Sequence, residues 1–189
     1  KDYFDMEIIG KTIDDAAGEA FDKIGKIFDL DYPAGPIVDR LAKDGNPDAF
    51  QFNKPKMEAY DYSFSGIKTS VLYFIQKEVR KDPDFIKDNL NDLCASVQKS
   101  IIEILMDKLE KAAKELNIKD IAIAGGVSAN SGLRQYMEAN REKLGWNIFI
   151  PKFEYTTDNA AMIAMVAKLK YERGEFTDIR TTATAKYDL

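Results

Sequence analysis

Histidine is absent from all 189 residues. That excludes Ser-His-Asp and Cys-His catalysis by this chain's own side chains. It also excludes His-ligated zinc and the paired-histidine helix of metalloproteases. Any metal must be held by carboxylates or by ligands from elsewhere. Cysteine occurs once, at Cys94, so no internal disulfide forms, as suits a reducing compartment. Its surroundings, "LNDLCASVQKSI", place it at helical spacing on a core face, where a thiol is inert. No apolar run reaches the ~18–20 residues needed to cross a membrane, and no signal peptide is visible. The expectation is a cytoplasmic protein with no membrane partner. Positive charge is not in excess: the net charge is −5, which argues against a broad basic face while leaving room for a local basic groove. Repeats and low-complexity tracts are missing too.

What is present is a globular composition, 45% hydrophobic and 31% charged, enough for one domain or one domain with an appended part. The opening "YFDMEIIG" reads as a strand with nothing before it. With a first residue Lys1 rather than Met, it suggests a piece of a longer chain. "TIDDAAGEAFDKIGKIFDL" reads as a helix capped by Thr12, with Asp14 and Asp15 in its first turn. Asp15, Glu19 and Asp22 share its polar face, and Gly18 interrupts it at a cost of ~1 kcal/mol relative to alanine, which a close approach by a backbone or ligand would explain. "DYPAGP" is a turn that puts Pro36 at the first position of a helix over about 37–43. Long helical patterns follow over 67–81 and 83–116.

The pattern changes after residue 116. Residues 120–124 read as a short buried strand, followed by Gly125 and Gly126 and a helix from Ser128 on. A second strand near 146–150 leads to a helix capped by Thr157 or Asp158 and ended by Gly174. The order β-α-β-α implies parallel strands with crossover helices, and in such sheets ligands bind beyond the carboxyl ends of the strands. Strand, Gly-Gly and helix N-terminus together suit a phosphate or other anion; a tight turn that binds nothing is the plainer alternative. Three parts result: a mostly helical part over 1–116, a β-α-β-α nucleotide-binding part over 117–175, and a patternless tail over 176–189.

Four stretches, "TIDDAAGEAFDKIGKIFDLDYPAGP", "YSFSGIKT", "AGGVSANSGLR" and "TTDNAAMIA", stand in an order that resembles the bacterial tRNA N6-adenosine threonylcarbamoyltransferases. This is the TsaD family, once called O-sialoglycoprotein endopeptidases. The resemblance covers about residues 3 to 175. It implies an α/β fold: an incomplete C-terminal lobe of the actin/sugar-kinase/Hsp70-like (ASKHA) kind with a large helical portion. The implied activity transfers threonylcarbamoyl from threonylcarbamoyl-adenylate to N6 of adenosine 37 in tRNAs reading codons that begin with A. The implied ligands are threonylcarbamoyl-adenylate or ATP and one divalent metal, iron or zinc. The implied partners are tRNA and the companion proteins TsaB and TsaE.

Carried over motif by motif, the resemblance implies substrate contacts at Asp22, Gly35, Asp39 and Asn130, beside Gly125 and Gly126, and a metal carboxylate at Asp158. Each has a structural alternative: an i,i+4 pair with Lys26 for Asp22, a plain turn for Gly35, a solvated helix residue for Asp39, and helix caps for Asn130 and Asp158. The family's His-x-x-x-His pair and "SGG" loop lie in an N-terminal lobe with no counterpart here, and Ala160 replaces a family glycine. The expectation is therefore a part that is inactive alone, with an exposed sheet edge that could support a homodimer. A noncatalytic nucleotide- or partner-binding relative is the alternative. A protease is disfavoured, since neither a nucleophile set nor a complete metal site is present.

Overall fold

The computed structural model describes residues 2–182. Helices α1 (Ala17–Ile27) and α2 (Ala34–Leu41) come first, the latter running into a 3-10 turn at Ala42–Asp44. A long loop leads to α3 (Ser65–Val79), the single turn α4 (Phe85–Asp88) and the 26-residue α5 (Leu90–Glu115). Then come β1 (Asp120–Ala122), a 3-10 turn at Gly126–Ala129, α6 (Ser131–Leu144), β2 (Asn147–Phe149), a 3-10 turn at Phe153–Tyr155 and α7 (Ala160–Glu172). The two strands pair in parallel, Ile121 opposite Ile148, as the β-α-β reading requires.

The helices arise from apolar residues recurring at three and four positions. On α1, Ala20, Phe21, Ile24 and Phe28 are buried. They meet Val38 of α2, Ile67, Val71 and Ile75 of α3, and Leu93, Cys94, Val97 and Ile101 of α5. A second cluster joins Ile102, Met106 and Ala113 of α5 to Ile121, Leu133, Met137 and Trp146. The close crossing of α1 and α2 needs Gly25, because a Cβ there would stand 2.2 Å from the Ala34 Cβ. Cys94 is buried and free, and burial pushes its thiol up to about 12, which leaves it protonated and inert.

Several expectations are corrected. Among the described residues the opening stretch is not a strand: Tyr3, Met6, Ile8 and Ile9 are exposed, and backbone pairing begins only where Lys11 and Ile13 bond to Tyr62 and Thr12 bridges it. Helix α1 starts at Ala17 rather than beside Thr12, since residues 11–13 are held by that bridge. Helix α2 begins at Ala34, so Pro36 is its third residue, where an N–H would still lack a partner within the helix. The expected helix over 83–116 breaks at Asn89, whose backbone, at φ −118° and ψ 16°, leaves the helical region while its side-chain amide donates to the Phe85 carbonyl. Both strands are three residues long. The cap of α7 is Asn159, whose Oδ1 accepts from the Met162 amide at 3.1 Å, not Thr157 or Asp158. Gly174 follows the end of α7 in left-handed conformation, as expected. No residue of α7 is buried, and Ile163 and Met165 are exposed.

Asp14 has a role that local reading could not assign. Its Oδ1 accepts from the Phe64 and Ser65 amides at 2.7 and 3.2 Å, and its Oδ2 from the Ser63 and Ser65 hydroxyls at 2.5 and 2.7 Å. It caps α3, whose flanking Phe64 supplies no side-chain acceptor. Partial burial draws the carboxyl up, but the four donors outweigh it and hold the group at about 2. A depressed carboxylate adds stability that is complete above its unfolded value, near 4, and is lost as pH falls toward 2. Because Asp14 remains exposed, solvent weakens the effect, and Asp14→Ala should cost about 1–2 kcal/mol at neutral pH. Urea unfolding of both proteins from pH 7 to pH 2 should show that difference vanish between pH 4 and 2; a constant difference would refute the assignment.

Candidate functional site

Beyond the carboxyl end of β1 lies a crevice of about 1020 Å³. One wall is α1, through Gly18, Phe21 and Asp22; α2 adds Gly35 from its first turn and Asp39 from its last; the loop after β1 adds Gly125 to Asn130. The lining is mainly apolar, which suits a flat organic ring with a few polar anchors.

The glycine loop follows from backbone constraint. Gly125 has φ 78° and ψ 175°, a region that only glycine enters without strain. The chain then makes a 3-10 turn before α6 begins at Ser131, so the helix expected from Ser128 starts three residues later. A Cβ added at Gly125 or Gly126 would meet nothing within 4 Å, so the space above both faces the crevice. At Gly18 an added Cβ would touch only Val127 Cγ2, at an ordinary 3.5 Å. Packing alone does not demand that glycine.

The polar residues are engaged at helix starts. Asp22 is half-buried, and its Oδ1 accepts from the Ala34 and Gly35 amides at 2.7 and 3.4 Å, capping α2. The alternative pair with Lys26 is not formed. Lys23 instead binds Asp15 at 2.6 Å and Glu19 at 2.8 Å. Among the described residues nothing donates to Asp22 Oδ2. Asp39, also half-buried, accepts through Oδ1 from the Ser131 amide at 3.0 Å and the Ser131 hydroxyl at 2.8 Å, capping α6. Asn130 caps the same helix through Oδ1, accepting from the Leu133 amide at 2.9 Å, and its Nδ2 donates to Gln98 Oε1 at 2.7 Å. Gly35 lies over Phe21, with 3.9 Å between an added Cβ and the Phe21 Cβ.

The structure thus brings Asp22, Gly35, Asp39, Gly125, Gly126 and Asn130 to one crevice. Asp158 stands apart: it is exposed, and the crevice is lined by its neighbour Thr157 instead. Among the described residues no three His, Cys, Asp or Glu side chains lie close enough to hold a metal. The residues present therefore do not make up a metal site. Sequence reading missed Ser131, Gln98 and Ser128, whose buried hydroxyl has no partner among the described residues. Nothing local marks Ser131, whose bond spans 92 residues. Gln98 could have been flagged as a lone amide on an apolar helix face.

A crevice at the carboxyl end of a parallel strand, floored by a glycine loop and a helix start, is an arrangement of nucleotide-binding α/β folds. The family model described as "TsaD: tRNA N6-adenosine threonylcarbamoyltransferase" matches residues 1–165, and the chain belongs to that family. It is 79% identical over its full length to the tRNA N6-adenosine threonylcarbamoyltransferase of Riemerella anatipestifer, covering 55% of that protein. It is 57% identical to the one of Christiangramia forsetii, with 98% of this chain and 55% of the relative covered. For the one of Porphyromonas gingivalis the identity is 58%, over 93% of this chain and 52% of the relative. The chain spans about half the length of the curated relatives it matches. The ASKHA fold of the family agrees with an incomplete α/β lobe carrying a small parallel sheet.

The two loop glycines should separate in their effects. Gly125→Ala is expected to cost about 1–3 kcal/mol, because alanine is strained at that φ and ψ. Gly126→Ala should stay within about 0.5 kcal/mol, having ordinary backbone and open space. Urea unfolding of the two variants measures this, and equal losses would contradict the conformational argument.

Proposed function

We propose that this chain forms the adenosine-facing part of a tRNA N6-adenosine threonylcarbamoyltransferase. The single observation that supports it is the convergence of six expected substrate-side residues on one crevice. The ligand class is threonylcarbamoyl-adenylate, with ATP as its simpler stand-in. The apolar lining accepts the base. Asp22 Oδ2 accepts ribose hydroxyls, as an acidic residue does in dinucleotide sites. The glycine loop leaves backbone room for the phosphate. In the reaction, N6 of adenosine 37, in tRNAs reading codons that begin with A, attacks the carbamoyl carbonyl. A C–N bond forms, the bond from that carbon to the phosphate oxygen breaks, AMP leaves with the electron pair, and N6 gives up a proton.

One divalent metal, iron or zinc, with Asp158 among its ligands, belongs to this reading of the whole enzyme. This chain's own residues do not complete the site, so no step is assigned to it. The same reading includes TsaB and TsaE as companions, cytoplasmic location, and a possible homodimer across the open strand edges. No helix among the described residues is long and apolar enough to cross a membrane. The lack of histidine favours, for the chain taken alone, a nucleotide- or partner-binding role without catalysis.

Two measurements test this. The purified chain should show no turnover in a threonylcarbamoylation assay with threonylcarbamoyl-adenylate and tRNA; full turnover would overturn the need for groups from outside it. ATP titrated into the chain by calorimetry should bind, and Asp22→Asn should weaken binding about tenfold through loss of a charged acceptor. Unfolding free energy should change by less than ~1 kcal/mol, because asparagine still caps α2. Unchanged affinity would remove Asp22 from the ligand site.

A further inference from the structure

Gln98 is a buried amide of α5, 9% exposed: Cys94, Val97, Ile101 and Ile102 around it are buried, and the other buried polar side chains of this helix are the small hydroxyls of Ser96 and Ser100. A buried amide needs a partner. Its Oε1 has one, the Asn130 Nδ2, at 2.7 Å. The first turn of α6 presses onto the same spot. A Cβ at Gly132 would stand 2.7 Å from Gln98 Nε2 and 3.0 Å from Ile102 Cδ1, so glycine at 132 lets the helix come down onto the amide.

We infer that Gln98 is a positioning residue of the nucleotide crevice, acting through Asn130. The inference rests on the reading of that crevice as a nucleotide site. The Asn130 amide has two N–H donors and an oxygen with two lone pairs. One lone pair takes the Leu133 amide and one N–H goes to Gln98. Reversing the amide would set Nδ2 against the Leu133 N–H, a repulsive pair in place of a bond, so Leu133 sets the orientation and Gln98 Oε1 holds the N–H on the other side. The remaining N–H and lone pair belong to a residue that lines the crevice. Ser131, next in the chain, is held by Asp39. The far end of the glycine loop is thus gripped from α5 and α2 together.

The test is a double-mutant cycle in the full 189-residue chain, using ATP as the probe. Gln98→Met keeps the length and removes the acceptor; Asn130→Ala removes its partner. Gln98→Met should weaken ATP binding roughly threefold to tenfold, the worth of one buried hydrogen bond. Added to Asn130→Ala, it should weaken binding by less than about twofold, because its effect passes through Asn130. A packing role alone would not produce this pattern. Nitrogen-15 spectra give a readout without ligand: the Asn130 side-chain amide should exchange its protons faster in Gln98→Met. An equal loss of affinity in both backgrounds, or unaltered Asn130 exchange, would overturn the inference while leaving the nucleotide site intact. An unaltered chain that binds no ATP would overturn the nucleotide reading and, with it, the ligand role given to Gln98.

Discussion

A helix begins with amides that its own turns cannot satisfy, and at α2, α3 and α6 a carboxylate from elsewhere in the chain accepts from them. The residues flanking α1, α2 and α3 on the N-terminal side, Ala16, Pro33 and Phe64, provide no side-chain cap. Asp14 serves α3 across 50 residues, Asp22 serves α2 across 12, and Asp39 serves α6 across 92. Each cap is therefore also a tertiary tie. Helix α1 holds the start of α2, and α2 holds the start of α6. The walls of the crevice are joined at the points where helix dipoles converge.

The apolar counterpart of those ties is α5. Neighbouring residues on a helix point about 100° apart, so Ile101 and Ile102 face different cores. Ile101 packs with α1, α2 and α3; Ile102 packs with β1 and α6. One helix thus fixes the angle between the helical layer and the strand pair, and Gln98 sits one turn earlier, where the two cores meet. The polar ties act at the rim of the crevice and α5 acts beneath it. Loosening either changes where the glycine loop stands relative to Asp22.

The periodic features were legible in the sequence. The apolar face of α1, the burial of Cys94, the parallel strand pair, the glycine loop and the stop at Gly174 all follow from spacing and residue type. Two of the misreadings concern helix caps. Thr12 with Asp14 looks like a helix cap, yet Thr12 pairs with Tyr62 and Asp14 serves α3. Thr157 and Asp158 look like caps, but Asn159 is the one that accepts from α7. Local rules identify residues able to cap and cannot say which helix start will be nearby after folding. For the site, the resemblance carried by four ordered motifs nominated Asp22, Gly35, Asp39 and Asn130, which line the crevice, and Asp158, which does not. Ser131 was invisible because its importance lies in a contact 92 residues away, and Gln98, open to notice as a buried amide, has its partner 32 residues away.

The double use of the acidic residues has an electrostatic reason. Two carboxylates lining a crevice that is to take a phosphate would oppose the ligand. Helix starts change that balance. Asp22 and Asp39 spend their Oδ1 atoms on the amides of α2 and α6, so partial positive charge meets each negative one. What faces the crevice is then closer to neutral at these two points, and the open backbone above Gly125 and Gly126 is left for the anion. Asp22 and Asp39 each keep an Oδ2 with no donor among the described residues, and such oxygens suit neutral hydroxyls and not a phosphate. The same contacts that satisfy the helix starts lower the negative charge that the crevice wall presents at Asp22 and Asp39.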